Sequence, residues 1–357
     1  METHILKTGS TTDKIVFLIA CLGIVSVTLM DKLYWNDSIL KEGWPNFSDR
    51  HIIQSIVIFI SIIALFWSLV GKQRPSLELS LNFGIERLSI FATILLSVII
   101  LFLFIFQPSD FQELSKEDSI LEWGSALLVF GSCFIMLYSL IKNSHGITNS
   151  KLIRFSLGFL SFCFFVMAME EVSWFQRVIE IETPTSFQDN YQNEINLHNF
   201  ATDYIENIYY FATFVFLVVF PLLRFLFPFL SNNNFLKTFI PRPFIGVIGA
   251  VACAYNFDMW NIIFTQITFY SSLVILCIFA IFSSVRNERF LIWSTVILMV
   301  TSQILFLVNG EKFDRIWELT EYKEFLIALA LFIYSWDVFL HIKQAYLLKE
   351  VELKHVL

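Results

Sequence analysis

Apolar runs of about 20 residues recur along this chain, and each is long enough in helical geometry to cross the hydrocarbon layer of a bilayer. About ten are present, near residues 15–31, 51–71, 86–107, 119–142, 152–178, 205–230, 243–259, 263–284, 289–309 and 322–343. Within lipid only helices and closed barrels satisfy their own backbone hydrogen bonds, and runs this long and continuous do not suit barrel strands. With 56% hydrophobic and 15% charged residues among 357, the chain has too little polar surface to coat a soluble globule of its size. The expected fold is therefore all-α, a polytopic transmembrane helical bundle of about ten spans. It forms one integral membrane domain over residues 1–357, since neither a repeat of 20 to 50 residues nor a Gly/Ser linker divides it.

Two runs have readings of their own. The first, behind His4, Lys7 and Lys14, resembles a signal anchor that is retained, because no small-residue cleavage site follows it. The seventh, FIGVIGAVACAYNF, is short and contains glycine, so it reads either as a span or as a re-entrant segment. In a ten-span arrangement Lys72 and Arg74, Lys142, Lys151 and Arg154, Lys237 and Arg242, and Arg286 and Arg289 fall on one side, which the positive-inside rule makes cytoplasmic. Both termini join that side. The acidic stretches 113–118, 180–203 and 311–321 and Asp258 lie opposite, so residues 179–204 form an extracytoplasmic polar loop or helix.

The net charge of −7 gives no reason to expect a nucleic-acid partner, and the five cysteines sit in apolar runs without metal or disulfide spacing. Membrane lipids are the expected surroundings. No cofactor is indicated. A metal site built from His51, His198 and a glutamate is conceivable, but no HExxH or comparable spacing supports it.

Polar chemistry gathers at three places on the acidic side. At the end of the fifth run, MAMEEVSWFQR places Glu170, Ser173, Trp174 and Arg177 on one helical face, with Glu171 turned about 100 degrees away. Ionisable residues at such depth cost about 2.5–3.5 kcal/mol each on insertion scales, so an adjacent carboxylate pair there points to function. Arg177 needs a carboxylate partner, which leaves the other carboxylate of the pair to titrate or bind. The plainer reading is an interfacial cap, with Trp174 in the aromatic belt and Gln176 closing hydrogen bonds.

Thr183-Pro184 should stop that helix. From Ser186 the chain can restart as a helix running into the sixth span, with Glu194 and His198 one turn apart, so that the carboxylate orients the imidazole as a general base or ligand. Asn190, Gln192, Asn193, Asn196 and Asn199 surround them. At the start of the fourth run, Glu117, Asp118 and Ser119 suit a helix N-terminus. Glu122 lies inside that helix beside Gly124, Ser125 and Ala126, small residues that admit a close neighbour. Asp314, Arg315, Glu318, Glu321 and Glu324 either line the same site or form a solvated helix face.

The motifs EDSILEWGSAL (117–127), EEVSWFQR (170–177) and NYQNEINLHN (190–199) resemble those of a family of uncharacterised bacterial polytopic membrane proteins. The resemblance implies a multi-pass protein of a bacterial inner membrane and carries over no reaction. It also implies a small residue, often glycine, where this chain has Phe175. A CAAX-type intramembrane protease is a poorer fit, since Arg177 falls two places late for EExxxR and the downstream histidine motifs are missing. A ceramidase-like hydrolase needs histidines that six scattered ones do not supply.

These features lead to an expected site of Glu170, Glu171, Glu194 and His198 in catalytic roles, with Arg177, Gln176, Trp174, Glu122, Asn190 and Asn199 binding substrate. The corresponding function is acid/base or metal-assisted chemistry on a lipid or lipid-linked substrate. A transporter or transport accessory that binds a proton or cation on the same carboxylates is the alternative, and a cell-envelope scaffold is the third.

Overall fold

The computed structural model describes residues 11–35, 40, 42–70, 84–142, 151–187, 190 and 194–356, with the backbone alone for His198 and residues 347–356. His4, Lys7, Lys72, Arg74, Gln192 and Asn193, which entered the sequence reading, lie outside the described residues, as does the His198 side chain. Among the described residues all regular secondary structure is helical. Nine helices there are long and apolar enough to cross a membrane, so the fold is that of a multi-pass membrane protein. They are α1 (Thr11–Leu33), α2 (Asp49–Val70), α3 (Ile85–Phe106), α4 (Ile120–Lys142), α5 (Lys151–Glu171), α6 (Thr202–Leu226), α8 (Ile263–Phe282), α9 (Arg286–Val308) and α10, which runs from Glu318 to Val356. Between α6 and α8 lies α7 (Pro243–Ala252), too short to span by itself.

Local sequence explains the irregular elements. Pro221 in α6 cannot donate to the carbonyl four residues back, and the helix opens into a π turn over Val215–Val219 just before it. Pro243 occupies the first turn of α7, where its missing amide costs nothing. Every residue from Phe244 to Ala252 is buried. Gly246 and Gly249 make that possible, because a Cβ on Gly249 would stand 2.7 Å from the Cβ of Leu217, and one on Gly246 3.1 Å from Pro221. The small residues Gly124 and Gly131 of α4 do the same for α10, whose Phe325 and Phe332 rings fill the space.

Beyond α7 the chain leaves α-helical geometry from Cys253 to Ile262 yet stays inside the bundle, with all but Asn261 buried. Non-helical backbone is tolerated at such depth only when protein covers it. Here turns close on themselves, as in Tyr255 N to Ala252 O (3.2 Å) and Trp260 N to Phe257 O (3.1 Å). Side chains supply the rest: Gln303 donates to Asn256 O (2.6 Å) and Gln266 to Trp260 O (3.1 Å). At one end of this stretch Arg242 pairs with Asp337 and with Glu86 (2.9 Å). At the other end Asn261 donates to Asn46 O (3.0 Å), while Asn256 accepts from Lys323 (2.9 Å). Lys323 and Asp337 lie about 21 Å apart along α10 at 1.5 Å per residue. Residues 242–256 therefore run beside about 21 Å of α10, broken after α7.

This close packing gives a mutational expectation. Gly249→Val drives its side chain into the Cβ of Leu217, which has no flexible end to yield, and should cost about 1–3 kcal/mol as overpacking does. Gly158→Ala meets only Leu140, at an ordinary 3.7 Å, and serves as the neutral comparison. Thermal unfolding of the two variants in detergent measures the difference.

Candidate functional site

The three polar motifs, far apart in sequence, meet at the end of the bundle where α4 and α6 begin and α5 ends. Helix α5 stops at Glu171, and Ser173, Trp174 and Phe175 then take left-handed backbone (φ 44°, 55° and 61°). For residues with a Cβ that geometry costs about 1–2 kcal/mol each, so side-chain contacts have to hold it. Ser173 donates to the Glu194 carboxylate, the Trp174 indole donates to Glu170 (2.8 Å), and the Phe175 ring packs against Trp123 and Phe130.

The break redirects Arg177. Its guanidinium binds Glu117 (2.9 Å) and Asp118 (2.6 Å) of the first motif and Glu194 of the third. Burial opposes its charge, but the hydrogen bonds it donates to Asp118 and Glu117 outweigh that and hold its pKa above the ordinary arginine value. Gln176 closes the same knot, donating to Thr183 (2.7 Å) and accepting from the Ile195 amide (2.6 Å).

The expected helix from Ser186 into the sixth span is corrected. Helix α6 begins only at Thr202, and His198–Phe200 is a single 3-10 turn. The reason is local competition for the backbone: Asn190 accepts from the Glu194 amide (3.1 Å) and donates to the Glu194 carbonyl (2.5 Å). Glu194 therefore does not stack one helical turn from His198. It is tied to Arg177, Ser173 and Asn196 instead.

The adjacent carboxylates separate as their helical offset suggests. Glu170 turns toward the loop and accepts from the Leu197 amide (2.7 Å) as well as from Trp174. Glu171 turns into the bundle, accepts from Ser125 (3.1 Å), and stands within electrostatic reach of Glu324 and Glu122. Glu122 itself accepts from the Asp118 amide (2.5 Å), in the manner of a helix cap.

Beside this knot lies a cavity of about 640 Å³ whose wall includes Glu42, Glu117, Asp203, Glu206, Glu321 and Glu324, with Asn199 at its edge. Among the described residues Arg315 is the one basic side chain lining it, and that guanidinium is engaged by Ser115 (3.0 Å to its carbonyl). Glu324 accepts from Tyr210 (2.5 Å). Asp258, 4% exposed, reaches the same region through the broken helix, where its carbonyl accepts from Gly43 (3.0 Å). Among the described residues, Oε1 of Glu42 and Oδ2 of Asp258 are buried without a hydrogen-bond partner. Burial, followed by repulsion from Asp258 and Asp203, pushes the Glu42 carboxyl up to about 8. Lys323, 4% exposed, donates to Asn256 and places its ammonium 4.1 Å from the centre of the Tyr210 ring.

Among the expected residues, Glu170, Glu194, Gln176, Trp174, Arg177 and Asn190 form the knot, while Asn199 lines the cavity and Glu171 and Glu122 lie near its carboxylates. The sequence reading missed Glu42, Glu206, Tyr210 and Lys323. A weak signal existed in the three-residue spacing of Asp203 with Glu206 and of Glu318, Glu321 and Glu324, which puts carboxylates on one face at the starts of α6 and α10. Among the described residues no three His, Cys, Asp or Glu side chains are grouped to hold a metal ion. His51 instead shares a hydrogen bond with Ser48 (2.9 Å). No family model matches the chain, and no curated protein or solved structure matches it.

Arg177→Ala leaves the Glu194 carboxylate, 8% exposed, without its cation. Breaking this part-buried pair from one side should destabilise by about 1–3 kcal/mol, since Ser173 and Asn196 still donate to Glu194. Glu170→Gln keeps one acceptor oxygen, loses one of two exposed hydrogen bonds and should cost less. Thermal unfolding and chymotryptic cleavage between residues 178 and 200 compare the two.

Proposed function

We propose that this is a multi-pass protein of a bacterial inner membrane whose acidic cavity, on the extracytoplasmic side, binds a cationic ligand in the manner of a transporter or transport accessory. The observation that carries this reading is the cavity wall, where six carboxylates face one engaged guanidinium. Walls of one sign in a low-dielectric surround concentrate counter-ions. The unpartnered oxygens of Glu42 and Asp258 supply acceptors for the ligand. The carboxylates are spread around the wall, an arrangement suited to an extended organic cation such as a polyamine. Transporters commonly place such sites at discontinuous helices, and the broken stretch 242–261 supports the reading through Asn256, which holds Lys323.

In the same proposal that stretch is the seventh of ten crossings, a single integral membrane domain comprises all of them, and the end carrying Arg242 and both termini face the cytoplasm. The basic loops identified in the sequence support this orientation. The family resemblance supports the bacterial setting.

Acid/base chemistry on a lipid or lipid-linked substrate is the second reading. It rests on Glu171, which faces inward with Ser125 as its hydroxyl partner. In that reading Glu171 is the base, and His198, Glu170 and Glu194 shape the entrance.

Proton linkage tests the cation reading. Glu42 holds its proton more tightly in the fold than its ordinary value of 4.5 allows, at about 8. The stability it contributes is therefore complete below the ordinary carboxylate range and is lost as pH rises through about 8. A bound cation offsets that loss. Spermidine should raise the unfolding temperature of the purified protein more at pH 8.5 than at pH 5.5. Glu42→Gln should remove the upper part of the trend, and Glu206→Gln combined with Glu324→Gln should weaken spermidine binding at least about tenfold. Equal stabilisation of all variants, or by sodium chloride at matched ionic strength, overturns the reading.

A further inference from the structure

A second cavity, of about 420 Å³, lies between α2, α8 and α9 and shares no lining residue with the acidic wall. Its volume falls within the range of about 300–1,000 Å³ typical of small-molecule sites. Its floor is aromatic and fixed in place. Trp260 meets Phe269 edge-on (5.7 Å between centroids), Phe59 packs on Tyr270 (5.1 Å), and the Tyr270 hydroxyl bonds Ser55 (2.6 Å).

The surroundings identify what fills it. Ile52, Ile56 and Phe59 of α2 and Val300 and Ile304 of α9 line the cavity and are 36–54% exposed. On membrane-length helices such residues face hydrocarbon, so the mouth opens sideways into the bilayer. One end is polar: Asn46 and Asn261 are joined there by their backbone and side-chain amides (3.0 Å), and His51 sits beside them on Ser48. That end coincides with the turn into α2, at the depth where head groups lie.

We propose that this cavity is a phospholipid site, holding one acyl chain against the aromatic floor with the head group at Asn46, His51 and Asn261. The inference is independent of the acidic cavity's ligand. It has a structural consequence for the centre of the molecule, because Gln303 lines the acyl site and also exchanges hydrogen bonds with Asn256 (2.6 and 3.1 Å). Asn256 in turn holds Lys323. The lipid site thus touches the polar chain that supports the broken helix.

The test is photolabelling of the full chain in phosphatidylethanolamine vesicles containing phosphatidylglycerol with a mid-chain diazirine. Labelled peptides are mapped by mass spectrometry with and without excess unlabelled phosphatidylglycerol. Labelling of peptides covering 52–59, 269–273 and 300–307 should saturate and be competed away, whereas labelling of the exposed face of α1 (Leu18, Leu22) should rise linearly. Leu273→Trp, which fills the cavity, should reduce the saturable component about tenfold. Ile297→Trp, on the lipid-facing surface of α9 outside the cavity, should leave it unchanged. If Leu273→Trp does not fold, Val300→Trp at the rim takes its place. Labelling that does not saturate, or that is equal in the filled and control variants, reduces the cavity to ordinary bilayer contact and overturns the proposal.

Discussion

The stretch from Cys253 to Ile262 sets the terms for the rest of the molecule, because a backbone that abandons helical geometry inside an apolar bundle must be enclosed by protein and supplied with hydrogen-bond partners. Enclosure comes from the π-opened middle of α6, from the glycines of α7, and from Phe257 packed on Phe313 (4.6 Å). The partners are polar residues placed in otherwise apolar helices: Gln303 in α9, Gln266 in α8 and Lys323 in α10. Each would be costly in a simple span. Around an unwound segment they satisfy groups that would otherwise be orphaned.

Lys323 shows how this scaffold and the acidic wall depend on one another. A buried ammonium needs both donor geometry and counter-charge. Asn256 and the Tyr210 ring supply the first, and the carboxylates of the acidic region supply the second. Burial raises the Glu42 carboxyl, and repulsion from the neighbouring carboxylates adds to it.

Sequence alone revealed the helices and little of the junctions between them. Nine apolar runs correspond to membrane-length helices because a span needs only length and hydrophobicity. The polar motifs were visible as unusual, and their common location followed from loop alternation. Their roles were not visible. Periodicity put Ser173, Trp174 and Arg177 on one helical face, whereas left-handed backbone at three successive residues turns Arg177 toward Glu117 and Asp118 of the preceding loop. Asn190 likewise prevented a helix that spacing allowed, by taking both backbone groups of Glu194 with its amide. Such competition is decided by tertiary neighbours, which periodicity does not report.

The division of Glu170 from Glu171 follows from the same geometry. One residue of helix rotates the side chain by about 100 degrees, so neighbouring carboxylates at a helix end cannot serve the same neighbour. Glu170 caps the loop amide of Leu197 and secures the motif knot. Glu171 points inward to Ser125, where α4, α5 and α10 meet. The knot therefore fixes where α5 ends, and the end of α5 fixes how far Glu171 reaches toward Glu324 and Glu122. Loosening Arg177 would shift that inward carboxylate through the backbone while touching none of its direct contacts. In this way the exposed motifs position an interior charge, a role that neither a simple interfacial cap nor a freely accessible catalytic pair would require of them.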